Sequence, residues 1–207
     1  MTTTHIAILT FDGFNELDSL IALALLNRVR QPGWRVTLCC PTAQVTSMNG
    51  VTVHAQSRLA EAADAAAVLI GSGVRTREIA RDAALLASLR LDPARQLIGA
   101  QCSGTLLAAR LGVLGNAPAC TDLTTKPWVL EAGVTVLPQA FHAAGNVATA
   151  GGCFASQYLA AWVIARLAGL QAAADALHYV APVGEKDEFV ARALRHLMPA
   201  LQAAPAA

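Results

Sequence analysis

The stretch Leu97-Ile98-Gly99-Ala100-Gln101-Cys102-Ser103-Gly104-Thr105-Leu106-Leu107-Ala108-Ala109 decides the fold. Residues 97–100 are a short apolar run, the kind required of a parallel strand covered on both faces. Residues 103–110 have helical composition. Cys102 stands between them, with the small residues Ala100 and Gly104 on either side. A strand that turns this tightly into a helix is a nucleophile elbow. Only small neighbours fit, and the side chain at the turn is pushed out at the carboxyl edge of the sheet. The helix N-terminus behind it offers unpaired N–H groups and partial positive charge, which favour thiolate over thiol. The competing reading is a buried free cysteine, a common core residue.

Outward from this stretch, strands and helices alternate. Apolar strands are expected at 6–10, 34–40 and 66–70, besides 97–100. A helix at 16–29 is capped by Asn15, with Leu17, Leu20, Ile21, Ala24 and Leu25 on one face. Met48-Asn49-Gly50 joins two short strands, 44–47 and 51–54, as a hairpin. A short helix is expected at 58–62, and one or two helices at 76–90. Beyond the elbow, residues 118–120 read as extended, 123–131 as a helix shortened or kinked by Pro127, and 135–137, 141–144 and 147–150 as strands. Helices at 154–167, 172–179 and 188–201 follow, and 203–207 reads as a frayed tail. This alternation predicts an α/β, doubly wound, mostly parallel sheet with helices on both faces. The 207 residues read as one domain, with a core at about 4–170 and C-terminal helices at 171–202.

Composition narrows the function classes. The net charge of +1 gives no reason to expect nucleic acid or an anionic membrane as partner. No uninterrupted apolar run is long enough to span a membrane. The first strand follows the start of the chain without an export signal, and the five cysteines are an odd number without Cys-x-x-Cys spacing. A reduced, cytoplasmic thiol set is the expectation. His5, His54, His142, His178 and His196 are scattered, and with the cysteines they complete no metal set, so no metal is expected.

In a doubly wound sheet the loops at the carboxyl ends of the strands build the site. The loop after the first strand brings Asp12, Glu16 and Asp18; Gly71-Ser72-Gly73 follows the third; Cys102-Ser103 follows the fourth. Asp18 could be protonated and donate to the Cys102 sulfur, or act as general acid or base. Charge complementarity at a helix N-terminus alone explains acidic residues there, and from the local sequence it is the preferred reading of both Asp18 and Glu16. Gly71 and Ser72 could present a backbone N–H as half of an oxyanion hole, with the N–H of Ser103 as the other half. An ordinary glycine turn is the alternative. Cys39, Cys40 and Cys120 read as structural; Cys153 opens a helix but lacks the strand-elbow context.

With these pieces together, the sequence resembles the ThiJ/PfpI superfamily over roughly residues 4–170. The resemblance rests on Ala100 to Ala108, on Thr149-Ala150-Gly151-Gly152-Cys153 running into Ser156-Gln157-Tyr158-Leu159-Ala160, and on Phe11-Asp12-Gly13 through Glu16-Leu17-Asp18. It implies a flavodoxin-like fold and a homodimer, with the interface drawn from the first helix or the Met48-Asn49-Gly50 hairpin. It also implies Cys102 as nucleophile and Asp18 as the acid bonded to its sulfur. Ser72 and Ser103 then fall where amides line an anion pocket. Ser103 stands where protease-like members carry histidine after the cysteine. Lys126, in Thr124-Thr125-Lys126-Pro127, replaces the histidine of the glyoxalase/deglycase branch. The branch with an Asp in the first helix, Cys followed by a hydroxyl residue, and no histidine is isonitrile hydratase. The implied activity is a cofactor-independent hydratase of a small electrophilic substrate. The alternatives are oxidation sensing without turnover, and glyoxalase or amidase chemistry.

Overall fold

The computed structural model describes residues 3–202; the expected frayed tail lies outside them. The chain runs β1 (Thr4–Leu9), α1 (Glu16–Leu26), β2 (Trp34–Cys40), β3 (Gln44–Thr46), β4 (Thr52–His54) and β5 (Ser57–Arg58). It continues through β6 (Ala67–Ile70), α2 (Thr76–Ile79), α3 (Ala83–Ser88), β7 (Leu97–Gln101), α4 (Gly104–Arg110) and α5 (Lys126–Glu131). It closes with β8 (Phe141–Ala144), β9 (Val147–Ala150), α6 (Ser156–Ala168), α7 (Leu170–Val180) and α8 (Lys186–Gln202).

The main sheet has seven strands in the order β5-β2-β1-β6-β7-β9-β8. Every pairing is parallel except β8 with β9. β1, β6 and β7 are apolar and buried along nearly their whole length, because helices cover both of their faces. One face packs Ile6, Ile8, Leu25, Leu26, Leu69, Leu159 and Trp162 between the sheet and α1, α6 and α7. The other packs Ala7, Leu9, Val68, Ile70, Ile98 and Leu107 under α4 and its neighbours. β1 and β7 flank β6 and all three run the same way, so the loops at their carboxyl ends converge.

The structure corrects several local readings. α1 stops at Leu26, where Asn27 turns its side chain back onto the Leu23 carbonyl at 2.9 Å. Its buried face carries Asp18, Ser19, Ala22, Leu25 and Leu26, while Leu17 is 43 % exposed. Apolar side chains surround this helix on all sides, so periodicity could not choose the face that packs. Residues 135–137 form no strand; Val136 makes one isolated bridge with Ala119. Pro127 lies in the first turn of α5 and starts the helix, since its missing N–H is not needed there.

The close approach of α4 to β6 sets the geometry of the elbow. A Cβ built on Gly104 would meet the carbonyl oxygens of Ile70 and Gly71 at 2.5 and 2.7 Å. Both are backbone atoms and neither can swing aside. Gly104→Ala is expected to destabilise the fold by about 2–4 kcal/mol. Gly145→Ala, at a positive-φ turn with open space around it, is expected to cost about 1 kcal/mol. Urea unfolding of the two variants checks the difference; equal midpoints would remove the packing argument.

Candidate active site

Cys102 has φ +45°, the one non-glycine residue with positive φ among the described residues. A left-handed residue of this kind costs about 1–2 kcal/mol. Three contacts hold it. Its N–H donates to the Ala150 carbonyl at 2.8 Å, carrying the β7–β9 ladder up to the turn. The Thr121 hydroxyl donates to its carbonyl at 2.8 Å. Gln101 Nε2 lies 3.4 Å from its Sγ and donates to the Gly152 carbonyl at 2.9 Å.

The fold brings Asp18 to the sulfur. A carboxylate oxygen of Asp18, the Sγ of Cys102 and the Sγ of Cys153 lie within 4.8 Å of one another. Asp18 is 2 % exposed, so charge complementarity on a solvated helix start does not account for it. One of its oxygens accepts from the Ser72 hydroxyl; the other is buried without a partner among the described residues. Burial pushes the Asp18 carboxyl up from 3.8 to about 6, against the pull of the Ser72 hydroxyl and, more weakly, of Cys102, Cys153 and Gln101.

Burial works against the thiolate expected at a helix N-terminus. Burial pushes the Cys102 thiol far up, and the charges of Asp18 and Cys153 push it further. α4 has only seven residues, and burial of the sulfur works against the pull of its N-terminus. Yet the proton has a short route. Moving it from sulfur to Asp18 leaves the net charge of the pair unchanged, and it removes the carboxylate charge that opposes the thiolate. Asp18 lies close enough to the Cys102 sulfur to exchange a proton with it.

The other residues singled out in the sequence fall into place unequally. The N–H groups of Ser72 and Ser103 have no acceptor among the described residues, which suits an anion pocket. The Gly71 N–H is taken by the Leu9 carbonyl at 3.0 Å, so Gly71 donates nothing to the site; it allows the close approach of β1. The Ser103 hydroxyl pairs with the Thr76 hydroxyl at 2.8 Å and accepts from the Gly73 N–H at 3.1 Å. It fixes the turn after β6 and is not free for substrate. Glu16 accepts from Ser47 and from Asn49 Nδ2 at 2.9 Å, latching the β3–β4 hairpin onto α1. Lys126 is exposed at the start of α5, and His142 pairs with Thr149 across β8 and β9. No histidine hydrogen-bonds Cys102 or Asp18 among the described residues.

Sequence reasoning leaves the role of Cys153 open. The Gly151-Gly152 turn after β9 carries it beside the elbow, and Asn15 Nδ2 donates to its sulfur at 3.2 Å. The signal was available: Cys153 lies just past a strand that pairs with the elbow strand. Asp18, Cys102 and Cys153 are also the one trio of possible metal ligands close enough to share an ion among the described residues. Cys39, Cys40 and Cys120 are buried elsewhere, and desolvation raises their thiols, Cys40 and Cys120 to about 11.

Residues 4–166 match the DJ-1/PfpI family, and the chain belongs to it. Among solved structures it is similar to a ThiJ/PfpI family protein from Pseudomonas syringae, with 19 % identity over 97 % of this chain and 90 % of that one, TM-score 0.77. Drosophila melanogaster DJ-1beta is similar at 19 % identity over 86 % of this chain and 98 % of that one, TM-score 0.75. Oxidised Toxoplasma gondii DJ-1 is similar at 18 % identity over 86 % and 98 %, TM-score 0.72. These likenesses establish the flavodoxin-like fold. Comparison with curated proteins found no match. No helix among the described residues is long and apolar enough to cross a membrane.

The buried carboxyl has a thermodynamic consequence. Its folded-state value of about 6 exceeds the unfolded 3.8, so the folded state binds the proton more tightly. The stability this contributes is full below about pH 4 and is lost as pH rises through about 6, a difference of about 3 kcal/mol. Asp18→Asn is expected to raise the melting temperature by several degrees at pH 7 and to flatten the fall between pH 4 and 6. Calorimetric scans across that range check this; a variant less stable than wild type at pH 7 would contradict it.

Proposed function

We propose that the protein is a cysteine-dependent hydratase of a small electrophile, acting on an isonitrile to give an N-substituted formamide. The observation that carries this reading is the buried pair of Cys102 and Asp18, with no histidine hydrogen-bonded to either among the described residues. A protease-like or glyoxalase route would call for a histidine at the thiol. Here the carboxyl must move the proton.

Cys102 gives its proton through Asp18 to the isonitrile carbon, and the sulfur bonds to the same carbon. The product is a thioimidate with the nitrogen as an imine. Water then adds to the C=N carbon as Asp18 removes its proton. Asp18 passes that proton to the imine nitrogen; collapse then turns the C–OH into C=O, breaks the C–S bond, and the hydroxyl proton goes to the departing thiolate, restoring the Cys102 thiol. The free N–H groups of Ser72 and Ser103 suit the oxygen of the tetrahedral stage. Burial serves this chemistry, because the carboxyl near pH 6 is poised both to take and to give a proton.

The protein acts as a homodimer in this reading. Leu17, Met48, Val51 and Phe154 are 43, 45, 46 and 70 % exposed. The backbone around them is held together: the Met48 N–H donates to the Phe14 carbonyl at 2.9 Å and the Ser156 hydroxyl to the Leu17 carbonyl at 3.5 Å. An apolar region beside the site is the kind of surface a second copy covers.

Incubation with cyclohexyl isocyanide, followed by chromatography for N-cyclohexylformamide, tests the activity. Wild type is expected to form product, Cys102→Ala to lose it by about 1,000-fold or more, and Asp18→Asn by about 100-fold or more. No product from wild type, or equal product from Cys102→Ala, would sink the reading. Sedimentation velocity tests the assembly: wild type is expected to run as a dimer and the Leu17→Arg, Phe154→Arg double variant as a monomer. A wild type that stays monomeric at high concentration contradicts it.

A further inference from the structure

Cys153 plays no part in the hydratase chemistry, yet its sulfur lies within 4.8 Å of the Cys102 sulfur. We propose that Cys102 and Cys153 are a peroxide-responsive pair, in which Cys102 is oxidised and Cys153 closes an intramolecular disulfide that masks the nucleophile. The inference rests on the reading of Cys102 as the reacting thiol.

Three features of the structure carry it. A disulfide needs sulfurs about 2.05 Å apart, so the pair must close a small gap. The residue just before Cys153 is a glycine with the widest backbone freedom: Gly152 is exposed, has φ +91°, and has open space where a side chain would stand. Cys153 then opens a single 3-10 turn, Cys153–Ala155, ahead of α6, so the shift need not disturb the long helix. Second, Asn15 Nδ2 donates to the Cys153 sulfur at 3.2 Å. That bond steadies the developing negative charge when Cys153 attacks. Third, Cys153 is half-buried while Cys102 is 4 % exposed. A small oxidant is the kind that reaches Cys102, and the second thiol waits on the same side of the elbow.

The steps balance with hydrogen peroxide as the named oxidant. The Cys102 sulfur attacks one peroxide oxygen and the O–O bond breaks. The departing oxygen leaves as water with the proton that Asp18 took from the thiol, and Cys102 becomes a sulfenic acid. The Cys153 sulfur attacks the sulfenic sulfur, an S–S bond forms, and the hydroxyl leaves as a second water with the Cys153 proton. Two thiols lose two electrons and two protons; one peroxide becomes two waters. The disulfide protects Cys102 from irreversible oxidation to the sulfinic acid, and a dithiol reductant restores it.

The test is intact-mass measurement and non-reducing peptide mapping after near-stoichiometric peroxide, on wild type and Cys153→Ser. Wild type is expected to lose about 2 Da and to yield a Cys102–Cys153 linked peptide that dithiothreitol separates. Cys153→Ser is expected to gain about 16 or 32 Da on Cys102. A wild type that gains oxygen on Cys102 without the linked peptide overturns the pair and leaves the nucleophile reading intact. A wild type in which Cys102 takes no modification overturns both.

Discussion

The left-handed turn at Cys102 governs the rest of the molecule, and it exists because α4 lies directly on the end of β6. Gly104 lets the helix backbone come within contact of the Ile70 and Gly71 carbonyls. Without that approach the chain could not leave β7 and enter α4 within three residues. The hydrogen bond from the Cys102 N–H to Ala150 at 2.8 Å holds the other side of the turn and carries β9 up to the same level. One steric condition therefore sets the place of the thiol, the reach of α4 and the position of the Gly151-Gly152 turn.

Against this scaffold the protein buries a carboxyl. Asp18 is desolvated, holds a single hydroxyl bond from Ser72, and leaves one oxygen unsatisfied among the described residues. A buried unpartnered oxygen costs about 1–3 kcal/mol, which is large beside a total stability of about 5–15 kcal/mol. Strain at φ +45° and a carboxyl raised to about 6 meet at the same few residues. Structural packing alone would favour an apolar residue or an amide there. The concentration of unfavourable terms around one thiol is what a reactive site looks like energetically.

Much of this was legible in the sequence, and the limits have physical causes. The elbow could be read because a strand-to-helix turn with small neighbours is a local steric pattern in Ala100, Cys102 and Gly104. The parallel sheet could be read because strands buried on both faces are continuously apolar. The packing face of α1 could not, since apolar side chains surround that helix and its tertiary packing against α6, α7 and the sheet turns Asp18 inward and leaves Leu17 exposed. The role of Cys153 stays open in the sequence because its closeness to Cys102 comes from the β7–β9 pairing, which is tertiary. The roles of Ser72 and Ser103 shifted for a similar reason. Their amides stay free, but the Ser72 hydroxyl turns to Asp18 and the Ser103 hydroxyl to Thr76.

The central claim is that Asp18 takes the proton from Cys102. The direct measurement is the rate of Cys102 alkylation by iodoacetamide between pH 4 and 9, in wild type and Asp18→Asn. If Asp18 is the base, the wild-type rate rises with a midpoint near pH 6 and then levels off. The asparagine variant loses that rise and reacts appreciably only in alkali. Identical profiles for the two proteins would contradict the account.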